Sequence, residues 1–256
     1  KIEDSDDSSA DCVRKRIDES MKRLDVEYLD YYQVWNIQNR ENYDAAVCKG
    51  GFLEGIQKAM AEGLVRRTGF TTHDSVENLL SYMPDIDWAD IILFTFNILN
   101  RSYMPAIKAA HDRGIGTIIM NPVCGGMLNQ DNPTLAELSQ KVGAKNISDM
   151  GIRWLMSQPY VDTIISGIST LEDVDRSVAS VTDGTFTSEH AALIDAKLDE
   201  LDSMKEAFCT GCRYCMPCPQ GIEIPAVMGM NSTYRFQGFQ QSAKEQYAAL
   251  QGAKAD

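Results

Sequence analysis

The stretch DIILFTFNILNRSYMPAIKAAHDRGIGTIIMNPV, Asp90 to Val123, decides the fold. Its first part, DIILFTFNIL (90–99), is an almost unbroken apolar run, as expected of a strand buried on both faces. MPAIKAAHDRG (104–114) reads as a helix that ends at Gly114. GTIIMNPV (116–123) is again rich in β-branched residues. Strand, helix and strand in this order make a crossover unit, which places the two strands parallel.

The same alternation extends in both directions. Upstream, Val13, Ile17, Met21 and Leu24 recur at helical spacing over Asp11 to Leu24. YLDYYQVW (28–35) follows as a strand, FLEGIQKAMAEG (52–63) as a helix, LVRRTGFTT (64–72) as a strand, and SVENLLSYM (75–83) as a helix capped by Ser75. Downstream, ISDMGIRWLMS (147–157) reads as a helix with Ser148 as its cap. DTIISGIS (162–169) is a strand and LEDVDRSVASV (171–181) a helix. Two architectures accommodate five such βα units, an open doubly wound sheet and a (β/α)₈ barrel. No G-x-G-x-x-G follows the first strand, which counts against the first. Five strands cannot close an eight-stranded barrel, so this reading expects two open sheet edges, at YLDYYQVW and DTIISGIS, and self-association or a partner segment covering them.

After Val181 the pattern changes. TDGTFTSEH (182–190) is a turn-rich linker, and EHAALIDAKLDELDSMKEAF (189–208) an amphipathic helix through Leu193, Leu198 and Leu201. The tail after Pro225 reads as one helix and a frayed end. The expected division is a partial barrel over residues 1–188 and a C-terminal segment over 189–256. That segment holds the densest chemistry of the chain, CTGCRYCMPCPQGIEIP (209–225). Cys209, Cys212, Cys215 and Cys218 are spaced two residues apart, and a tight turn can bring such thiolates to one centre. Zinc knuckles use two separated C-x₂-C pairs, whereas a fused run closing in Cys-Pro is the iron–sulfur pattern. The spacing therefore favours a [4Fe–4S] cluster over zinc. Only two residues, Met216 and Pro217, precede the last cysteine, where the ferredoxin run has three, so the fourth ligand is Cys218 or a distant thiol such as Cys124, Cys48 or Cys12.

The net charge of −13 disfavours nucleic acid and anionic membranes as partners. No apolar run approaches the roughly 20 residues of a membrane span. Seven cysteines and no secretory signal point to a reducing cytoplasm. His73 in TTHDS reads as a turn residue beside Asp74.

Taken together, VRKRIDESMKRLDVEYLDYY, AMAEGLVRRTGF, FNILNR, RGIGTIIMNPVCGGML, WLMSQPYVDTIISGISTLEDV and CTGCRYCMPCPQGIEIP resemble the aldo-keto reductases. The match is to the bacterial branch that carries a C-terminal ferredoxin-like segment. The resemblance implies an α/β fold, the last five βα units of a TIM (β/α)₈-type barrel with an iron–sulfur extension. It also implies carbonyl reduction with a nicotinamide cofactor, usually NADPH, and an electron donor or acceptor as partner.

The family's catalytic Asp and Tyr fall on units outside this sequence, and its Lys falls near Lys1. Its His position is Trp35, its Ser-Asn pair Thr71-Thr72, and its nicotinamide-contacting Gln Leu93. The cofactor-binding candidates are Ser166, Gly167 and Ser169, a turn of small residues running into a helix, which presents backbone N–H groups to a pyrophosphate. The position for a base toward a 2′-phosphate holds Thr170 and Leu171. The alternatives to the enzyme are a degenerate barrel acting as an iron–sulfur electron-transfer protein and a zinc-stabilised module.

Overall fold

Five parallel strands form one sheet whose spatial order follows the chain: β1 (Leu29–Ile37), β2 (Val65–Thr72), β3 (Ile91–Thr95), β4 (Gly116–Met120) and β5 (Thr163–Ile165). The structure is a computed structural model that describes residues 9–206, 215–235 and 238–251. Among these residues β1 and β5 each pair on one side only. β3 lies at the centre, and Ile91, Ile92 and Phe94 are buried, as the apolar run predicts. The strand stops at Thr95, well short of the run's end.

The chain packs as two units. The first reaches Phe96 and resumes over Asn100–Asn121 and Pro159–Ile165; the second takes Asn97–Leu99, Pro122–Gln158 and the described residues from Ser166 onward. The first unit holds the sheet with α1 (Ala10–Leu24), α2 (Arg40–Val47), α3 (Phe52–Ala61), α4 (Val76–Tyr82) and α5 (Met104–Asp112). Val13 and Ile17 of α1 are fully buried, whereas Leu24 at the end of the same stripe is exposed. α2 is absent from the sequence reading because its eight residues, RENYDAAV, give too short a periodic signal.

α1 and α3 pack so closely that Gly55 has no room for a side chain. A Cβ there falls 2.5 Å from the Ala10 carbonyl oxygen and 2.8 Å from Val13 Cβ. Gly55→Ala is expected to cost roughly 1–3 kcal/mol through overpacking, read as a Tm several degrees lower in a calorimetric scan. An unchanged Tm would show that the helices separate freely.

The second unit is helical: α6 (Pro133–Lys141), α7 (Ile147–Met156), α8 (Leu171–Asp183), α9 (Ser188–Glu206), α10 (Ile224–Arg235) and α11 (Gln240–Ala249). A kinked 3₁₀ segment, Cys124–Asn129, precedes α6. Trp154 of α7 is buried and its Nε1–H donates to Asp195 Oδ1 of α9 at 2.8 Å. The linker after α8 is anchored. Phe186 is buried, its N–H donates to Ser157 Oγ at 2.9 Å, and the Arg153 guanidinium lies 4.3 Å from its ring centre.

The tail forms two helices where one was expected, because Gly238 at φ +75 breaks the chain and Phe239 is buried just after it. α9 buries Ile194, Leu198 and Leu201, while Leu193 is exposed. No helix among the described residues is long and apolar enough to cross a membrane.

Candidate functional site

α8 begins where β5 ends, across the turn Ser166–Ser169. Its sequence TLED carries a capping signal. Thr170 is the N-cap and accepts from the Asp173 N–H at 3.2 Å. Asp173 reaches back, and its Oδ2 accepts from the Ser169 N–H at 3.1 Å and the Thr170 N–H at 2.9 Å. Its Oδ1 pairs with Arg176. The Arg176 guanidinium, followed by these backbone donors, lowers the Asp173 carboxyl from its ordinary 3.8 to about 2.

The depressed folded-state value means that this carboxylate stabilises the cap above about pH 4. The contribution is lost as pH falls through about 2. The Tm difference between the native chain and Asp173→Asn is therefore expected to shrink between those two pH values. A difference constant across that window would show that the carboxylate charge has no part in the cap.

Of the three cofactor candidates, Ser166 and Gly167 line a cavity, and Ser169 does not. The Ser169 N–H is already taken by Asp173, which fills the helix N-terminus that the sequence offered to an anion. Gly167 has nothing within 4 Å of a built Cβ, so any side chain there would project into open space. The cavity, about 120 Å³, also touches Val123, Lys145, Asp149, Arg176 and Ser180. It is small beside the roughly 300–1,000 Å³ of a typical small-molecule pocket, and it has room for one sugar or one heterocycle.

Asp149 stands in the first turn of α7, whose N-cap is Asn146. The expected cap, Ser148, lies two residues past the N-cap, inside the helix, and instead donates its hydroxyl to Asn129 Oδ1 at 2.6 Å. Asp149 is 3 % exposed, and its Oδ2 accepts from the Lys145 N–H at 2.9 Å. Its Oδ1 has no hydrogen-bond partner among the described residues. Sequence reasoning passed over Asp149, because an acid in the first turn of a helix ordinarily reads as dipole pairing.

The β1–β3 positions named from the resemblance lie in the first unit. Trp35 is 47 % exposed on β1. The following Asn36 turns to φ +63 and donates its N–H to Thr71 Oγ1 at 2.6 Å. Thr72 donates its hydroxyl to the Ile37 carbonyl at 3.1 Å. Leu93 is half-buried on β3, beside Thr71 and Ile118. Both threonines thus serve the β1–β2 seam.

His73 is exposed, and the polar hub of this loop is Asp74. Asp74 accepts from Tyr82 Oη at 3.0 Å, the Ser75 N–H at 2.7 Å and Asn78 Nδ2 at 3.0 Å. Tyr103 donates to its carbonyl. Burial raises the hydroxyls of Tyr82 and Tyr103 above the ordinary tyrosine value, so both stay protonated at neutral pH and donate to Asp74.

Of the four run cysteines, Cys209 and Cys212 lie outside the described residues. Cys215 is exposed and Cys218 half-buried. The Cys218 carbonyl accepts from the Gly221 N–H at 2.9 Å, closing a turn in which Gly221 takes φ +71. Among the described residues no group of three or more His, Cys, Asp or Glu is arranged to hold a metal ion. Cys124 belongs to the same unit as Cys215 and Cys218, while Cys12 and Cys48 belong to the other.

Comparison with known proteins follows the βα alternation. L-galactose dehydrogenase of Arabidopsis thaliana is 25 % identical over 195 residues, which cover 69 % of this chain and 60 % of that protein. L-glyceraldehyde 3-phosphate reductase of Escherichia coli K12 is 22 % identical over 219 residues, covering 70 % and 61 %. The chain thus spans about three fifths of the length of these curated relatives. Among solved structures, the holo form of aldo-keto reductase AKR11C1 from Bacillus halodurans superposes with a TM-score of 0.62 at 18 % identity, over 73 % of this chain and 65 % of that one. That likeness carries the fold: the five parallel strands match part of a (β/α)₈ barrel. The profile of the Aldo/keto reductase family matches residues 1–199, from the first residue to the middle of α9, and on that extent the chain belongs to the aldo/keto reductase family.

Proposed function

We propose that this chain is the dinucleotide-holding part of an aldo-keto-reductase-type oxidoreductase, coupled through its C-terminal cysteines to one-electron transfer. The observation that carries the reading is the cavity beside Ser166 and Gly167 with an unpartnered carboxylate oxygen in its lining. A glycine with open space around it and a buried acceptor without a donor are what a bound polar ligand requires. Ser166 and Gly167 would hold the nicotinamide cofactor through backbone N–H groups, and when bound that cofactor supplies a hydride. Asp149 would fix a hydroxyl or amine of it.

Cys209, Cys212, Cys215 and Cys218 would hold a [4Fe–4S] cluster, which exchanges single electrons with an external donor or acceptor, protein or small molecule. The donor set fits: four thiols and the Cys218–Gly221 turn. A cytoplasmic, reducing setting suits both groups.

A second reading, an iron–sulfur protein without hydride chemistry, is favoured by Trp35. An indole on β1 cannot polarise a carbonyl or pass a proton as an imidazole does. One anaerobic preparation separates the two: dinucleotide titration by calorimetry, and cofactor oxidation against a panel of aldehydes and quinones. The chain as given is expected to bind a dinucleotide and to reduce carbonyls at least about 10²-fold below an enzyme with a complete general acid. Robust turnover abolished by Trp35→Ala would give Trp35 a catalytic part. Absence of any dinucleotide binding would remove the nicotinamide reading altogether.

A further inference from the structure

α8 is amphipathic with its faces reversed. Leu171, Val174, Val178 and Val181 recur at spacings of three, four and three residues, and they are 85, 40, 57 and 59 % exposed. The helix packs on α7, yet Ser180 is buried and Ser177 half-buried, so its inward side is small and polar. Every other helix among the described residues exposes at most one large apolar side chain. A surface helix ordinarily turns its apolar stripe toward the core, so four such residues aligned on the outside call for a cover.

The spacing is that of heptad positions a and d, the pattern by which two helices interlock side chains along a seam. The residues bordering the stripe bear on what lies across it. Asp175 and Thr182 flank it on one side, Thr170 and Ser177 on the other. A second copy laid parallel about a two-fold axis sets Asp175 beside the partner's Thr170 and Thr182 beside the partner's Ser177, so no like charges meet. An antiparallel copy would oppose the two Asp175 carboxylates near the axis. A basic helix would find one acid, Asp175, at the margin of the stripe, and an anionic membrane surface would meet a chain of net charge −13.

We propose that α8 is the seam of a homodimer, in which two copies of the chain join along Leu171, Val174, Val178 and Val181 as a parallel helix pair. The contact depends on neither the dinucleotide nor the cluster, and it puts self-association on a helix face in place of an open strand edge. Two such stripes bring together on the order of 500 Å² of apolar surface, and with their polar margins they stay below the roughly 1,200 Å² of a stable complex. The dimer is therefore weak and concentration-dependent.

Sedimentation equilibrium of the full chain, purified without oxygen and without added dinucleotide, tests it between about 10 µM and about 1 mM. The native chain should pass from monomer to dimer with a Kd on the order of 0.1 mM. Val178→Glu places a carboxylate in the apolar seam and should weaken the dimer at least about tenfold. Leu171→Gln removes apolar surface without adding charge and should weaken it about threefold or more. Both side chains are exposed, so each variant should keep the native Tm at ~5 µM, where the chain is monomeric. Asp175→Asn should leave the Kd within about twofold, because that carboxylate meets no like charge in a parallel pair. Tyr31→Lys, at an exposed position on β1, should leave the dimer intact. A native chain that stays monomeric up to about 1 mM overturns the proposal. So does a dimer lost in Tyr31→Lys and kept in Val178→Glu, which would put the contact on the strand edge. A several-fold tighter dimer in Asp175→Asn overturns the parallel pair, and a complex with a different chain abolished by Val178→Glu would give the stripe another occupant and overturn the homodimer.

Discussion

The native protein, purified without oxygen, is expected to carry iron and acid-labile sulfide in near-stoichiometric amount, and Cys215→Ser to lose both. A thiolate is a soft, anionic ligand at neutral pH, and a serine hydroxyl is neither. A cluster left with three protein ligands loses its fourth corner to solvent and oxidises. The effect is close to all-or-none, seen as loss of the broad absorbance near ~400 nm. Cys215 is exposed, so its replacement leaves the core untouched. A native sample with stoichiometric zinc and no iron or sulfide would sink the idea at once.

Cys218→Ser asks a finer question. The run is one residue short before its last cysteine, and Cys218 is half-buried in the turn that the Gly221 N–H closes on its carbonyl. Loss of the cluster in both variants identifies Cys218 as the fourth ligand. Retention in Cys218→Ser alone passes that role to Cys124, Cys48 or Cys12.

Asp74→Ala is expected to be the most damaging single change outside the cysteines, costing roughly 3–5 kcal/mol of stability. The carboxylate is 3 % exposed and accepts three hydrogen bonds, from Tyr82, Ser75 and Asn78. Its removal leaves the Tyr82 hydroxyl buried with a partner gone, which costs more than the bond itself is worth. It also loosens the start of α4, which the Ser75 hydroxyl caps by accepting from the Asn78 N–H at 3.2 Å. Tyr82 stacks on Tyr43 at 4.5 Å between ring centres, so the damage reaches α2. Urea denaturation at neutral pH measures it. Asp74→Asn should recover part of the loss, because the amide oxygen can still accept. A cost below about 1 kcal/mol would show that water replaces the carboxylate without difficulty.

Much of the fold can be read along the chain, since it depends on local pattern. Alternating strands and helices with caps at Ser75, Gly63 and Gly114 determine parallel pairing and crossover connections before any contact is known. The spacing of the fused cysteine run is equally legible, and the cluster proposed for it awaits the Cys215 and Cys218 variants. Short elements escaped. β5 keeps three residues of the eight in DTIISGIS, and α2 and α6 surface only as parts of packed layers.

The site followed the same division. The turn Ser166–Gly167 and the capping signal TLED are written in sequence. That Asp173 folds back to occupy the Ser169 and Thr170 N–H groups is a matter of side-chain geometry that the sequence does not display. Asp149 and Asp74 are ordinary acids in the sequence, one in a first helical turn and one in a polar loop. Burial is what distinguishes them: it leaves one carboxylate oxygen without a donor and surrounds the other carboxylate with three. The sequence alone therefore determined the order of elements, the parallel sheet and the thiol spacing, which follow from periodicity and residue type. Only the tertiary structure decided which backbone donors stay free, which carboxylates are desolvated and which cations are already paired, because those depend on groups far apart in the chain meeting away from water.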